Sequence, residues 1–135
     1  MCYNSDCIIE IKSRIDGQTS TISTKGKVIK TPSEMRFDYL LDGDECTLTV
    51  SDCGVVQSRH GEQTIKMTFR KGEQTECFLE NCGFSGTFFV FTHDLQCTMR
   101  DINGDFGMNR GFKLLIVYKI GEQKIELNFS AEYKI

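Results

Sequence analysis

The chain has 135 residues, the size of one domain, and its 39% apolar and 26% charged fractions are ordinary for a soluble fold. A net charge of −3, with Lys and Arg scattered among acids, gives no clustered basic surface, so no nucleic-acid partner is expected. Twelve Gly, one Pro and no Trp exclude collagen-like and proline-rich disordered classes.

In chain order, "MCYNSDCIIEIK" lacks the apolar run of a secretory signal, and residues 1–6 read as a loose tail ahead of a single domain. Cys7, Ile9, Ile11 and Ile15 then share one face, with Glu10, Lys12 and Arg14 on the other. After the turns "DGQ" (16–18) and "TPSE" (31–34), Met35, Phe37, Tyr39 and Leu41 alternate with Arg36 and Asp38. A helical turn is conceivable at Ser33–Arg36 and again at Asp101–Arg110. Cys46, Leu48 and Val50 alternate with Thr47, Thr49 and Ser51 between "DGD" and "DCG". Over 55–60, either the Val55/Gln57/Arg59 face or the Val56/Ser58/His60 face can point inward. Ile65, Met67 and Phe69 form the next apolar face, and Thr75, Cys77 and Leu79 the one after it.

"GFSGTFFVFT" (83–92) is apolar on both sides, with Phe84, Phe88 and Val90 on the face assigned to the interior and Phe89 and Phe91 on the other. Gly83 and Gly86 suggest a strand that bends tightly. Phe89 and Phe91 await a cover, either a loop such as 101–111 or a second subunit. Leu95, Cys97 and Met99 follow, then "LLIVYKI" (114–120). The last segment places Ile125, Leu127, Phe129, Ala131 and Tyr133 opposite Lys124, Glu126, Asn128, Ser130 and Glu132.

Period-two segments with one apolar face, separated by Gly, Asn and Asp turns at short intervals, are the pattern of antiparallel β-structure. Closing the sheet hides its edges, so the expected fold is an all-β antiparallel meandering β-barrel of about 8–10 strands. "GTFFVF" is too short for a membrane-spanning helix, so no membrane partner is expected.

"VVQSRHG" (55–61), "IKMTFRKGEQT" (65–75), "STKG" (23–26), "LLIVYKI" (114–120) and the alternating C-terminal strand together resemble the YwiB-like family of uncharacterised small bacterial proteins. The resemblance implies a lipocalin-like (calycin-type) barrel and carries no catalytic residues with it.

Seven cysteines and no export signal point to free thiols in a cytoplasmic setting. Cys77, Cys82, His93 and Cys97 could supply zinc ligands, but their spacing is not that of a zinc knuckle, and Cys77 and Cys97 fall on apolar faces. "DINGD" (101–105) starts like a calcium loop but has Phe106 and Phe112 where Gly and Glu are needed. Neither histidine, His60 or His93, sits in a nucleophile motif. No catalytic, metal or cofactor site is therefore expected. The best reading is a non-enzymatic barrel that binds a small amphipathic ligand through Arg59, Tyr39, Tyr118 and Phe88 at its interior or rim. The alternative is an interaction protein that acts through its outer surface, most simply as a homodimer joined at Phe89 and Phe91.

Overall fold

A computed structural model describes residues 2–104 and 107–134, with 102–104, 107 and 108 described as backbone only. Its strands are β1 (Tyr3–Ile15), β2 (Gln18–Lys30), β3 (Glu34–Leu41), β4 (Asp44–Ser51) and β5 (Gly54–His60), followed by β6 (Gln63–Phe69), β7 (Gln74–Asn81), β8 (Phe84–Gly104), β9 (Gly107–Ile120) and β10 (Gln123–Lys134). Each strand pairs antiparallel with its neighbour in sequence, and β1 pairs with β10, which closes a ten-stranded barrel. Asp16–Gly17 and Asp42–Gly43 all take positive φ, the conformation that tight hairpin turns require.

The apolar face of each strand fills the interior. Ile9, Val28, Phe37, Leu48, Val55, Phe69, Val90, Ile116 and Phe129 are almost wholly buried. Phe37 sits at the centre, its ring 5.0 Å from that of Phe112 and 5.1 Å from that of Phe129. Tyr118 packs 4.9 Å from Phe69. Each large side chain buried this way contributes about 1.5–3 kcal/mol.

Two strands serve both halves of the barrel. β2 pairs with β1 over its whole length but with β3 only over Gly26–Lys30. β8 pairs with β7 over Phe84–Phe91 and with β9 over Phe91–Gly104. The switch is marked by a register shift between Thr92 and Asp94, where the extra residue turns the strand. Before it, Phe88, Val90 and Thr92 point inward; after it, Leu95 does.

Several expectations are corrected. Tyr3–Asp6 belong to β1 instead of a loose tail, because they pair with Lys27–Lys30 and the Tyr3 hydroxyl lies 2.8 Å from that of Tyr133. Ser33 ends a short bend and Glu34–Arg36 already belong to β3, and the described parts of 101–110 are strand, so neither is a helical turn. Asp105 and Phe106 of the acidic segment lie outside the described residues. Phe84 is 62% exposed instead of interior, because it sits beside the β7–β8 turn beyond the packed zone, where its ring covers Gly86. Cys97 is exposed, since β7 no longer flanks β8 at that level.

Candidate functional site

Interior side chains become polar toward one end of the barrel. Along β5 the inward row runs from buried Val55 to half-buried Gln57 and Arg59, which resolves the two-way reading of that strand. Arg59 is flanked in register by Cys46 on β4 and Ile65 on β6, and Cys46 by Tyr39 on β3. The structure thus brings Tyr39 and Arg59 to one level of the barrel.

Arg59 donates from Nε to Oδ2 of Asp44 at 2.8 Å, and this bond raises the guanidinium pKa further. The pair is 39% and 28% exposed, so it orients the arginine more than it stabilises the fold. Gly61 makes room for it: a Cβ there would lie 2.1 Å from Oδ1 of Asp44. Arg59 and Gly61 of "VVQSRHG" therefore both accommodate one carboxylate. Outside the pair is a groove of about 530 Å³ lined by Asp42, Asp44, Arg59, Glu62, Gln63 and Ile65.

Tyr39 is 4% exposed, and its hydroxyl oxygen has no hydrogen-bond partner among the described residues. Burial above all pushes its pKa up to about 12; nearby Cys46 adds to the rise, while Gln57 and Arg59 oppose it. Gln57 is close enough to influence the hydroxyl but is not in hydrogen-bonding geometry with it. An unpaired buried hydroxyl costs about 1–3 kcal/mol, so its position beside Gln57 and Arg59 calls for an explanation.

The other expected site residues are placed elsewhere. Tyr118 is a core residue whose pKa burial pushes up to about 12, with Cys77 adding to the effect. Phe88 lies opposite Cys77 and packs on the core. Phe89 and Phe91 point outward, 54% and 38% exposed, so no described part of 101–111 covers them. Phe91 meets only the edge of the His93 ring at 4.7 Å among the described aromatic pairs. The thiols of Cys7, Cys46 and Cys77 are buried and raised by that burial, Cys7 to about 11. Among the described residues no three potential metal ligands cluster, and Cys77 faces the interior away from exposed Cys82 and Cys97.

A second polar cluster escaped the sequence reading. Arg110 Nε donates to Asp101 Oδ1 at 2.9 Å and Nη1 to the Tyr3 hydroxyl at 3.3 Å, beside Tyr133. Tyr3 lies more than a hundred residues from both Arg110 and Tyr133, so no local spacing announces the cluster as a whole. A further groove of about 500 Å³ lies on the outer side of β1, β10 and β9, where Glu10, Glu132, Lys113 and Arg100 mix both charge signs. Among the described residues the buried side-chain oxygens without a partner are those of Tyr39 and Thr92, and neither lines this groove or the one beside Arg59. Tyr39, next to Arg59 in the interior, makes that end the stronger candidate.

These features define a closed antiparallel barrel with a packed interior and a polar mouth at the Tyr39–Arg59 end. The crystal structure of ywiB protein from Bacillus subtilis has the same fold, with a TM-score of 0.74 over 98% of this chain and 94% of that one, at 16% sequence identity. The likeness is one of fold, and it falls on the family that the sequence motifs resemble. No family model matches the chain, and no curated protein does.

Proposed function

We propose that the chain is a non-enzymatic, calycin-like binding protein of the cytoplasm that takes the polar group of a small amphipathic ligand at the Tyr39–Arg59 mouth. The observation that carries this reading is the buried, unpartnered Tyr39 hydroxyl beside Gln57 and Arg59. The interior below is filled by Phe37, Leu48 and Phe129, so a ligand seats at the mouth with its apolar part toward Ile65 and leaves the barrel axis packed. Mass spectrometry of freshly purified protein and thermal shift against fatty acids and polar metabolites test it. A bound mass or a stabilising compound is expected. Tyr39→Phe should abolish the stabilisation while raising ligand-free stability by about 1–3 kcal/mol, because the unpaired hydroxyl is gone. Absence of any co-purified mass together with no stabilising compound would sink the reading.

A second reading, of a protein acting through its outer surface as a homodimer, is favoured by the exposed aromatic face of β7 and β8. Phe78, Phe89 and Phe91 all point outward there, with Phe84 at the turn. Exposed apolar patches of this kind mark contact surfaces. Light scattering should then show a dimer that Phe89→Ser/Phe91→Ser weakens; a monomer before and after substitution leaves the reading unsupported.

A further inference from the structure

The barrel is closed as a ladder, yet two strands run past a partner, β2 past β3 over Gln18–Lys25 and β8 past β7 beyond Thr92. β7 covers β8 only as far as Phe91, and the β6–β7 turn extends the cover by one residue, with Gly72 N donating to Thr92 O at 2.7 Å. From Asp94 to Gly104, β8 has β9 as its only strand neighbour among the described residues. The backbone groups on the other edge of this segment are therefore free to pair with another strand. Side chains on the inward side lack cover at the same place: Leu95 is half-buried, while Cys97 and Met99 are exposed, Met99 to 42%.

We infer that the free edge of β8 pairs antiparallel with the same edge of a second copy, with Cys97 on the two-fold axis. This deepens the homodimer reading and rests on it, but places the contact at the strand edge. The register follows from geometry and charge. A two-fold axis normal to the sheet keeps the two sides of both strands in common, so inward residues must oppose inward residues. Centring on Cys97 sets Asp94 opposite Arg100 of the partner subunit, Leu95 opposite the partner's Met99 and Gln96 opposite the partner's Thr98. Each pair then joins opposite charges, two apolar chains or two polar chains, the combinations that stabilise cross-strand neighbours. Moving the centre to Thr98 would oppose Leu95 to the partner's Asp101 and lose the charge pair. Arg100 is exposed and has no ion pair among the described residues. Asp94 holds Gln96 at 2.7 Å and Lys71 at 3.4 Å, so Arg100 of the second copy adds to or replaces an exposed contact.

Directly opposed residues in an antiparallel pair have Cα atoms about 4.5–5.5 Å apart, within disulfide reach. The test uses the full chain with the other exposed thiols removed (Cys2→Ser, Cys53→Ser, Cys82→Ser). Light scattering should give twice the chain mass. Diamide should then link two chains through Cys97, the two thiols giving up two protons and two electrons as the azo group becomes a hydrazine. In the unlinked wild type, Arg100→Asp and Asp94→Arg should each raise the dimer dissociation constant about tenfold or more, and the double swap should restore it. Cys97→Lys, which sets two like charges side by side on a surface position, should give a folded monomer. A monomeric wild type at all concentrations overturns both this contact and the homodimer reading. A dimer that Phe89→Ser/Phe91→Ser dissolves, but that Cys97→Lys leaves intact, overturns the edge contact alone.

Discussion

Phe37→Ala should cost about 3–5 kcal/mol, the range found when a large buried aromatic is cut to a methyl group. Phe37 is fully buried, and its ring lies between Phe112 and Phe129, so truncation opens a cavity that two rings from other strands line. Those neighbours belong to β9 and β10, on the far wall of the barrel from β3, so the loss loosens the contact that keeps the two walls together. Against a total stability of about 5–15 kcal/mol, this is a large fraction. The expected readout is a fall in Tm of roughly 10–20 °C, with a lower urea midpoint at unchanged slope. Phe89→Ala supplies the contrast. Its side chain is 54% exposed on the outer face, and the same chemical change should cost about 1 kcal/mol or less in the monomer. If both variants lost equal stability, the assignment of inner and outer faces on β3 and β8 would be wrong.

That contrast also shows where the sequence is informative. Phe37 sits in a clean alternation with Arg36 and Asp38, so one face had to be buried and the pattern named it. The β10 pattern from Ile125 to Tyr133 was as plain and is realised residue by residue. The Phe-rich stretch was harder because period two identifies two faces but not where the barrel ends along them. Phe84 and Phe88 share a face, yet only Phe88 reaches the level at which other walls stand opposite. The bulge at Thr92/Asp94 left a trace in the sequence as a change of phase, from even-numbered Phe88 and Val90 to odd-numbered Leu95. The site divides in the same way. Arg59 and Tyr39 were identifiable as polar groups on or near apolar faces. Asp44, which holds Arg59, is supplied by the turn of the preceding hairpin, and its role emerges only once β4 and β5 are in register. Tyr3 reads as tail in the sequence because its partner, Tyr133, lies at the opposite end of the chain.

The second large effect is expected at a residue without a side chain. Gly54 opens β5 with φ of +132°, a backbone conformation essentially restricted to glycine. A Cβ built there would lie 2.3 Å from the Phe69 carbonyl oxygen and 3.1 Å from Cγ of Arg70. The first contact is with the backbone of β6, at the residue whose ring packs on Tyr118, so it cannot be relieved by a rotamer change. Gly54→Ala therefore combines backbone strain of about 1–3 kcal/mol with overpacking of about 1–3 kcal/mol. A loss of at least about 2 kcal/mol by urea or thermal unfolding is the expected result, with the damage centred on the β5–β6 pairing. Gly83→Ala separates the two causes. Gly83 also has positive φ, +73°, but nothing lies within 4 Å of its Cβ position, so only the conformational cost of about 1–2 kcal/mol remains. Equal losses at the two positions would mean that the close approach to Phe69 is relieved by a shift of β6. A larger loss at Gly54 would show that the close approach of β5 to the Phe69 carbonyl is not relieved by a shift of β6.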